Sequence, residues 1–304
     1  MSSLARFAWI VLVYNGAVIL WGAFVRATGS GAGCGSHWPT CNGQIVPRAE
    51  STETLIELTH RTTSGLALLA VVALVIWAFR ARPRQHPMRA AAIWSLVFIL
   101  LEAGIGAGLV LFEWVAGDKS LARGFVMGAH LVNTLLLLAA LTMTARAADT
   151  TAEPRDPPRP LGHWLVVGIV GMFVTAASGG IAALGDTLFP ARTLLEGLQA
   201  DLSVTSHVFL RLRSFHPLIA AGTALALIAS ALQVRGEPPS TRARTAATAL
   251  IAVVVAQVSI GALDVLLLAP ISLQMIHLAV ADAVWIALVL LALELRRPTP
   301  APIA

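Results

Sequence analysis

Charged side chains are scarce in this 304-residue chain. Its 21 basic and 16 acidic residues make up 12% of it, against roughly 25% in ordinary soluble domains. With 57% of the residues hydrophobic, this scarcity excludes a soluble globular enzyme and, equally, a disordered chain. Cysteine is rarer still, with Cys34 and Cys41 alone. A concentrated basic face is missing too. The net charge is +5, but the arginines are scattered through short loops, so no stripe exists that would bind a nucleic-acid backbone. What is abundant is apolar sequence, in runs long enough to dissolve in lipid. The composition describes a polytopic membrane protein.

Eight runs reach the length of about 20 residues that a bilayer requires: residues 7–25, 55–79, 90–112, 124–145, 162–184, 214–234, 245–269 and 271–295. The first follows a single basic residue, Arg6, and no small-residue cleavage site follows it, so it reads as a retained helix. Arginine placement sets the expected orientation. Arg6, Arg80, Arg82, Arg84, Arg89, Arg146, Arg155, Arg159, Arg235, Arg242, Arg244, Arg296 and Arg297 all fall on one side, which the positive-inside rule makes cytoplasmic. Both termini are then cytoplasmic, in a bacterial inner membrane, and the long outer loops are residues 27–54 and 185–213.

The chain repeats itself. Glu102-Ala-Gly-Ile-Gly-Ala-Gly in the third run matches Gln257-Val-Ser-Ile-Gly-Ala-Leu in the seventh. His60 and His216 open the second and sixth runs, and His130 and His277 lie early in the fourth and eighth. The expected architecture is all-α, with eight transmembrane helices forming two pseudo-symmetric four-helix bundles (residues 1–148 and 162–304) joined by a cytoplasmic linker, 149–161. Four intervening helices give both copies the same topology.

These four histidines carry the chemistry. Their helices all run from outside to inside, and each histidine sits in the outer part of its helix. Two neutral imidazoles on facing helices suit a six-coordinate haem iron in a bundle core. Gly65, Gly104, Gly106, Gly108, Gly128 and Gly222 are small enough to leave room for a macrocycle. Ionisable groups inside a membrane are expensive and usually functional. Zinc or copper fits less well, since neither pair has a cysteine or carboxylate cluster beside it. The other histidines have simpler readings: His86 and His163 face solvent at the inner side, and His37 and His207 lie in the outer loops.

Cys34 and Cys41 fall in the first outer loop, in Thr28-Gly-Ser-Gly-Ala-Gly-Cys34-Gly-Ser-His-Trp-Pro-Thr-Cys41. That side of a bacterial membrane is oxidising, so a disulfide is expected, either structural or redox-active. The glycine run lacks the lysine and strand-to-helix setting of a phosphate loop.

Three motifs together resemble one family: Gly22-Ala-Phe-Val-Arg26-Ala-Thr-Gly-Ser-Gly31, then Cys34 with Trp38-Pro39-x-Cys41, then Glu57-Leu-Thr-His60-Arg61. With His130, His216 and His277 they resemble the membrane-bound haem A synthases, from the first run to the eighth. The resemblance implies oxidation of a ring methyl of haem O to the formyl group of haem A, for use in terminal oxidases. It further implies that His60 and His130 are axial ligands of the substrate haem and that His216 and His277 hold a haem b cofactor. Some family members carry a second cysteine pair in the later outer loop, and residues 185–213 have none.

The residues themselves distinguish the halves. Glu57 lies one turn before His60 on the same helical face, whereas the corresponding residue before His216 is Arg213, and Pro217 follows it. A carboxylate that could accept protons during methyl oxidation therefore belongs to the first half. Arg61, Arg211 and Arg213, with Arg26 and Arg123, lie at outer helix ends against the positive-inside trend and are candidate partners for haem propionates. Glu102, Asp264 and Asp282 are intramembrane carboxylates open to structural or proton-conducting roles. The implied partners are membrane lipid, a haem O synthase as supplier, an electron acceptor and further copies in a homo-oligomer, with no nucleic acid. Two rival classes share features with this reading: a bis-histidine di-haem cytochrome exchanging electrons with quinone, and a transporter. Transporter sites lie near the midplane rather than toward one face.

Overall fold

The structure is a computed structural model and describes residues 1–45, 47–48, 51–149, 162–236 and 240–296. Ten α-helices follow in order among them: α1 (Ser3–Ala27), α2 (Thr52–Ala81), α3 (Pro87–Leu111), α4 (Leu121–Ala148), α5 (His163–Leu188), α6 (Leu194–Leu202), α7 (Val208–Arg213), α8 (His216–Gly236), α9 (Thr241–Leu266) and α10 (Ile271–Leu295). Eight stretches are long and apolar enough to cross a membrane, with α7 and α8 together making one of them. The linker 149–161 falls almost wholly outside the described residues, and so do Arg155, Arg159, Arg297 and the side chain of Arg235.

Helix starts follow from capping. Serine hydroxyls of Ser2, Ser51, Ser120 and Ser240 accept the amides of Ala5, Thr54, Arg123 and Ala243 and open α1, α2, α4 and α9. Each satisfies one of the amides a helix start leaves without an intrahelical partner. These caps lie outside the apolar runs, so the helices begin earlier than hydropathy alone indicates. His86 does the same for α3, its Nδ1 accepting the Met88 amide at 3.2 Å. It is buried, which corrects the expectation of a solvent-facing histidine.

Helix breaks also have local causes. Pro217 has no amide hydrogen and its ring would clash with the Arg213 carbonyl, so the sixth membrane-crossing stretch, Val208–Val234, divides into α7 and α8 around Ser214 and Phe215, and it begins before the apolar run at 214. At the end of α9, Leu268 and Ala269 take positive φ (62° and 53°), and the Ala269 amide returns to Asp264 O. The helix therefore stops at Leu266, short of the apolar run's end at 269. The end of α3 repeats this pattern: Glu113 has φ 58°, and the Trp114 amide returns to Leu109 O. The two closures are 155 residues apart.

In the first half, α1 packs on α2 and α4, and α3 packs on both α2 and α4. In the second, α5 packs on α8, α8 on α9 and α9 on α10. α4 is central: it also packs on α5 and α10, and half of its most apolar stretch is buried, against 11% for α9. Its buried Thr142 and Thr144 satisfy their hydroxyls on their own helix, donating to Leu138 O and Ala140 O. α10 is tied to the first half at three levels. Gln274 accepts from Arg26 at 2.8 Å, Trp285 Nε1 donates to Leu135 O at 2.6 Å, and Glu294 pairs with Arg146 at 2.5 Å. The outward faces carry bare apolar residues such as Ile10, Val13, Leu69, Leu218 and Leu225, as lipid-facing helices do.

Candidate haem sites and the disulfide loop

Each histidine of the quartet lies against a neighbouring helix. The His60 ring on α2 sits against Gly22 of α1, where an added Cβ would stand 2.9 Å from Cε1. The His216 ring at the start of α8 meets Gly179 of α5 at 3.0 Å, and the His277 ring on α10 meets Gly261 of α9 at 2.8 Å. A side chain at any of these glycines would displace the ring. Composition did not single out Gly22, Gly179 or Gly261. Gly22 and Gly261 lie inside the quoted motifs, and the repeat adds Gly179, since Gly22 precedes His60 by 38 residues and Gly179 precedes His216 by 37; what the sequence did not show is that a histidine ring stands opposite each.

The structure brings the four together as two pairs, with His60 in electrostatic range of His130 and His216 in range of His277. Buried ring nitrogens are left over: Nδ1 of His60, His130 and His277 makes no hydrogen bond. Of the glycines expected to make room, Gly65, Gly104, Gly106 and Gly222 have nothing within 4 Å of an added Cβ, and Gly65, Gly104 and Gly222 are exposed. Gly128 instead packs on Ala177 of α5. Among the described residues, no group of three or more His, Cys, Asp or Glu could hold a bare metal ion. Paired imidazoles with buried, unbonded ring nitrogens fit a haem.

The halves differ around these rings. Glu102 Oε1 approaches His130 Nδ1 at 3.4 Å, an ion pair only when the imidazole is protonated. Its carboxylate accepts from the Thr134 hydroxyl at 2.5 Å and from the Asn133 amide. In the second half, Gln257 Nε2 lies 3.2 Å from His277 Nε2, and the Ser178 hydroxyl lies 3.0 Å from His216 Nδ1. Asp264 and Asp282 each keep one buried oxygen without a partner.

The first turns of α2 form a cradle for the cysteine loop. Cys34 and Cys41 are joined in a disulfide and both are buried. Glu57 is only 3% exposed. It accepts the Cys34 amide at 2.8 Å and pairs with Arg61 at 2.5 Å. The Arg61 guanidinium also donates to the carbonyls of His37 and Thr40, both at 2.5 Å. Thr54 donates to Gly33 O at 2.7 Å, and Gly33 passes so close that an added Cβ would stand 2.4 Å from the Glu53 carbonyl carbon. Glu57 and Arg61 thus hold the loop by its amide and carbonyl groups, on the helix that carries His60.

The outer arginines are mostly engaged by the protein itself. Arg213 pairs with Asp186 at 2.6 Å and Asp201 at 2.5 Å. Arg123 donates to Ala116 O and Asp118 O. Arg26 donates to Ala183 O and Thr187 Oγ1 of α5 and to Gln274 of α10, which joins the two halves. Arg211 is exposed.

The family model for cytochrome oxidase assembly proteins matches residues 5–289. The chain belongs to the cytochrome oxidase assembly protein family. Its similarity to individual proteins is uneven. Two strains of Thermus thermophilus have a protein named protoheme IX farnesyltransferase that is 46% identical over 292 residues, 96% of this chain and 48% of that protein. A haem A synthase of Geobacillus kaustophilus is 42% identical over 126 residues, 41% of this chain and 37% of its own length. One from an Exiguobacterium species is 37% identical over 140 residues, 46% of each chain. The chain thus spans about half the length, or less, of the relatives it matches. As a member of this family with eight apolar helices, it is a multi-pass membrane protein.

Proposed function

We propose that this cytochrome oxidase assembly protein is a haem A synthase, oxidising a ring methyl of haem O to a formyl group. One observation carries the reading: four histidines in two pairs within electrostatic range, with unbonded, buried ring nitrogens on His60 and His277. Similarity to proteins named haem A synthase supports it. In this reading His60 and His130 would hold the substrate haem, and His216 and His277 a haem b. A haem iron supplies one-electron and oxygen chemistry when bound. The protein's own part is to fix the rings, exclude water and move protons.

Glu57 is the candidate catalytic group for proton removal. It is a buried carboxylate one turn from His60, and Arg61 holds its orientation. Removing protons repeatedly from a methyl carbon requires an acceptor within reach, and in the second half the corresponding place is taken by Arg213. For propionate contacts, Arg211 is favoured over Arg61 and Arg213, because carboxylates already neutralise those two.

We further infer that the two halves are copies of one four-helix unit, on the matching closures of α3 and α9 and the matching Gly22–His60 and Gly179–His216 contacts. The disulfide end faces outward, since Arg6, Arg80, Arg82, Arg84, Arg89, Arg242, Arg244 and Arg296 gather at the opposite end. Both termini then lie in the cytoplasm. The relative named for farnesyl transfer to protohaem is about twice the matched length, so its name need not describe the shared half. A haem farnesyltransferase is therefore proposed as supplier of the substrate rather than as the activity of this chain.

Haem extraction and mass analysis test the reading, on protein produced with and without a haem O supply. Haem O or haem A together with haem b is expected. Haem b alone at both sites would make the protein a di-haem cytochrome instead.

A further inference from the structure

α6 is too short to cross a membrane, yet it exposes large apolar residues. Leu195, Leu198 and Leu202 are 66%, 50% and 79% exposed. At 3.6 residues per turn, these three fall in one sector roughly 60° wide. Gly197 and Asp201 occupy a second sector, turned to the protein: Gly197 is buried, near Ala191 and Arg213, and Asp201 accepts from Arg213 at 2.5 Å. Glu196 and Gln199 make a third, exposed and polar. A helix with separate protein, apolar and polar faces fits a boundary between protein, lipid and water.

The position of α6 agrees with this. Five residues separate it from the end of α5 and five from the start of α7. At about 3.5 Å per residue, neither connection lets it move far from the helix ends. α6 packs on α7, and beyond α7 Phe215, just before α8, and Leu218 and Leu225 on α8 are exposed. The two flanking helices, α5 and α7, belong to stretches long and apolar enough to cross a membrane, so α6 is tethered beside the outer ends of both.

We propose that α6 is an interfacial helix, lying in the membrane surface at the disulfide end with Leu195, Leu198 and Leu202 in the acyl-chain boundary of that leaflet. Asp201, through Arg213 and Asp186, fastens it to α7 and α5, three residues before His216. The occupant of the leucine face is lipid.

The full chain suits a spin-label test, because its two cysteines are bonded to each other and an introduced thiol is labelled alone. Leu198→Cys, Leu202→Cys and Glu196→Cys would each be labelled in vesicles of phosphatidylethanolamine and phosphatidylglycerol. Collisions with oxygen and with a water-soluble nickel chelate are then measured. Oxygen should dominate at 198 and 202, and nickel at 196; two leucine positions guard against one variant misfolding. Nickel access at 198 and 202 equal to that at 196 would place α6 in water and overturn the proposal. Dipolar broadening at 198 and 202 would also overturn it, by putting a second copy on the leucine face.

Discussion

Replacing Glu57 by glutamine tests two roles of one carboxylate. The side chain accepts the Cys34 amide at 2.8 Å and pairs with Arg61 at 2.5 Å, both in a buried setting. Glutamine keeps the size and one acceptor oxygen but turns an amide NH2 toward either the Cys34 amide or the guanidinium. Hydrogen bonds to a charged group contribute about 1.5–3 kcal/mol each, so losing one such bond should loosen the loop by about 2 kcal/mol. Cys34 and Cys41 are 0% and 1% exposed, and a thiol reductant can reach them only when the loop opens. Where the loop opens and recloses faster than the reductant attacks, a loss of about 2 kcal/mol raises the opened population, and with it the rate, roughly 30-fold. The rate of disulfide reduction by dithiothreitol, followed by alkylation and mass analysis, should rise by that order. In the same variant both haems should remain bound while haem A formation stops and haem O or a partly oxidised haem accumulates. An unchanged reduction rate would refute the clamp. A normal haem A yield would refute the proton-acceptor role, whatever the loop does.

Other perturbations address the remaining contacts. His216→Ala and His277→Ala should each abolish a low-spin haem b signal that His60→Ala and His130→Ala leave largely intact; equal loss in all four variants would contradict two separate sites. Gly179→Ala puts a methyl 3.0 Å from the His216 ring, so the paramagnetic resonance of the haem b should shift, and Gly22→Ala should leave that signal unchanged. Arg26→Gln removes a guanidinium bonded to both α5 and α10. It should lower the thermal unfolding midpoint in detergent by several degrees, with little recovery in Arg26→Lys, because an ammonium cannot span the same acceptors as a planar fork. Gly33→Ala forces a Cβ to 2.4 Å from the Glu53 carbonyl carbon; loop closure should suffer, giving free thiols in the purified protein.

Much of the architecture is local and therefore legible in sequence. Whether a stretch enters lipid depends on its own side chains, so eight apolar runs became eight membrane-crossing stretches with shifted ends. The shifts came from capping serines outside the runs and from Pro217 and the left-handed Leu268 and Ala269 within them. The histidine quartet and the cysteine pair were also visible, because residue type and spacing alone mark them. What Glu57 and Arg61 hold, that His86 is buried, that Arg213 is neutralised by Asp186 and Asp201, and which glycines stand opposite the histidine rings were all decided by the tertiary structure. Each of these depends on which segments pack together rather than on neighbours in the chain. The partner of a buried polar group depends on which helix packs beside it, and hydropathy, which sums each segment separately, carries no information about that neighbour.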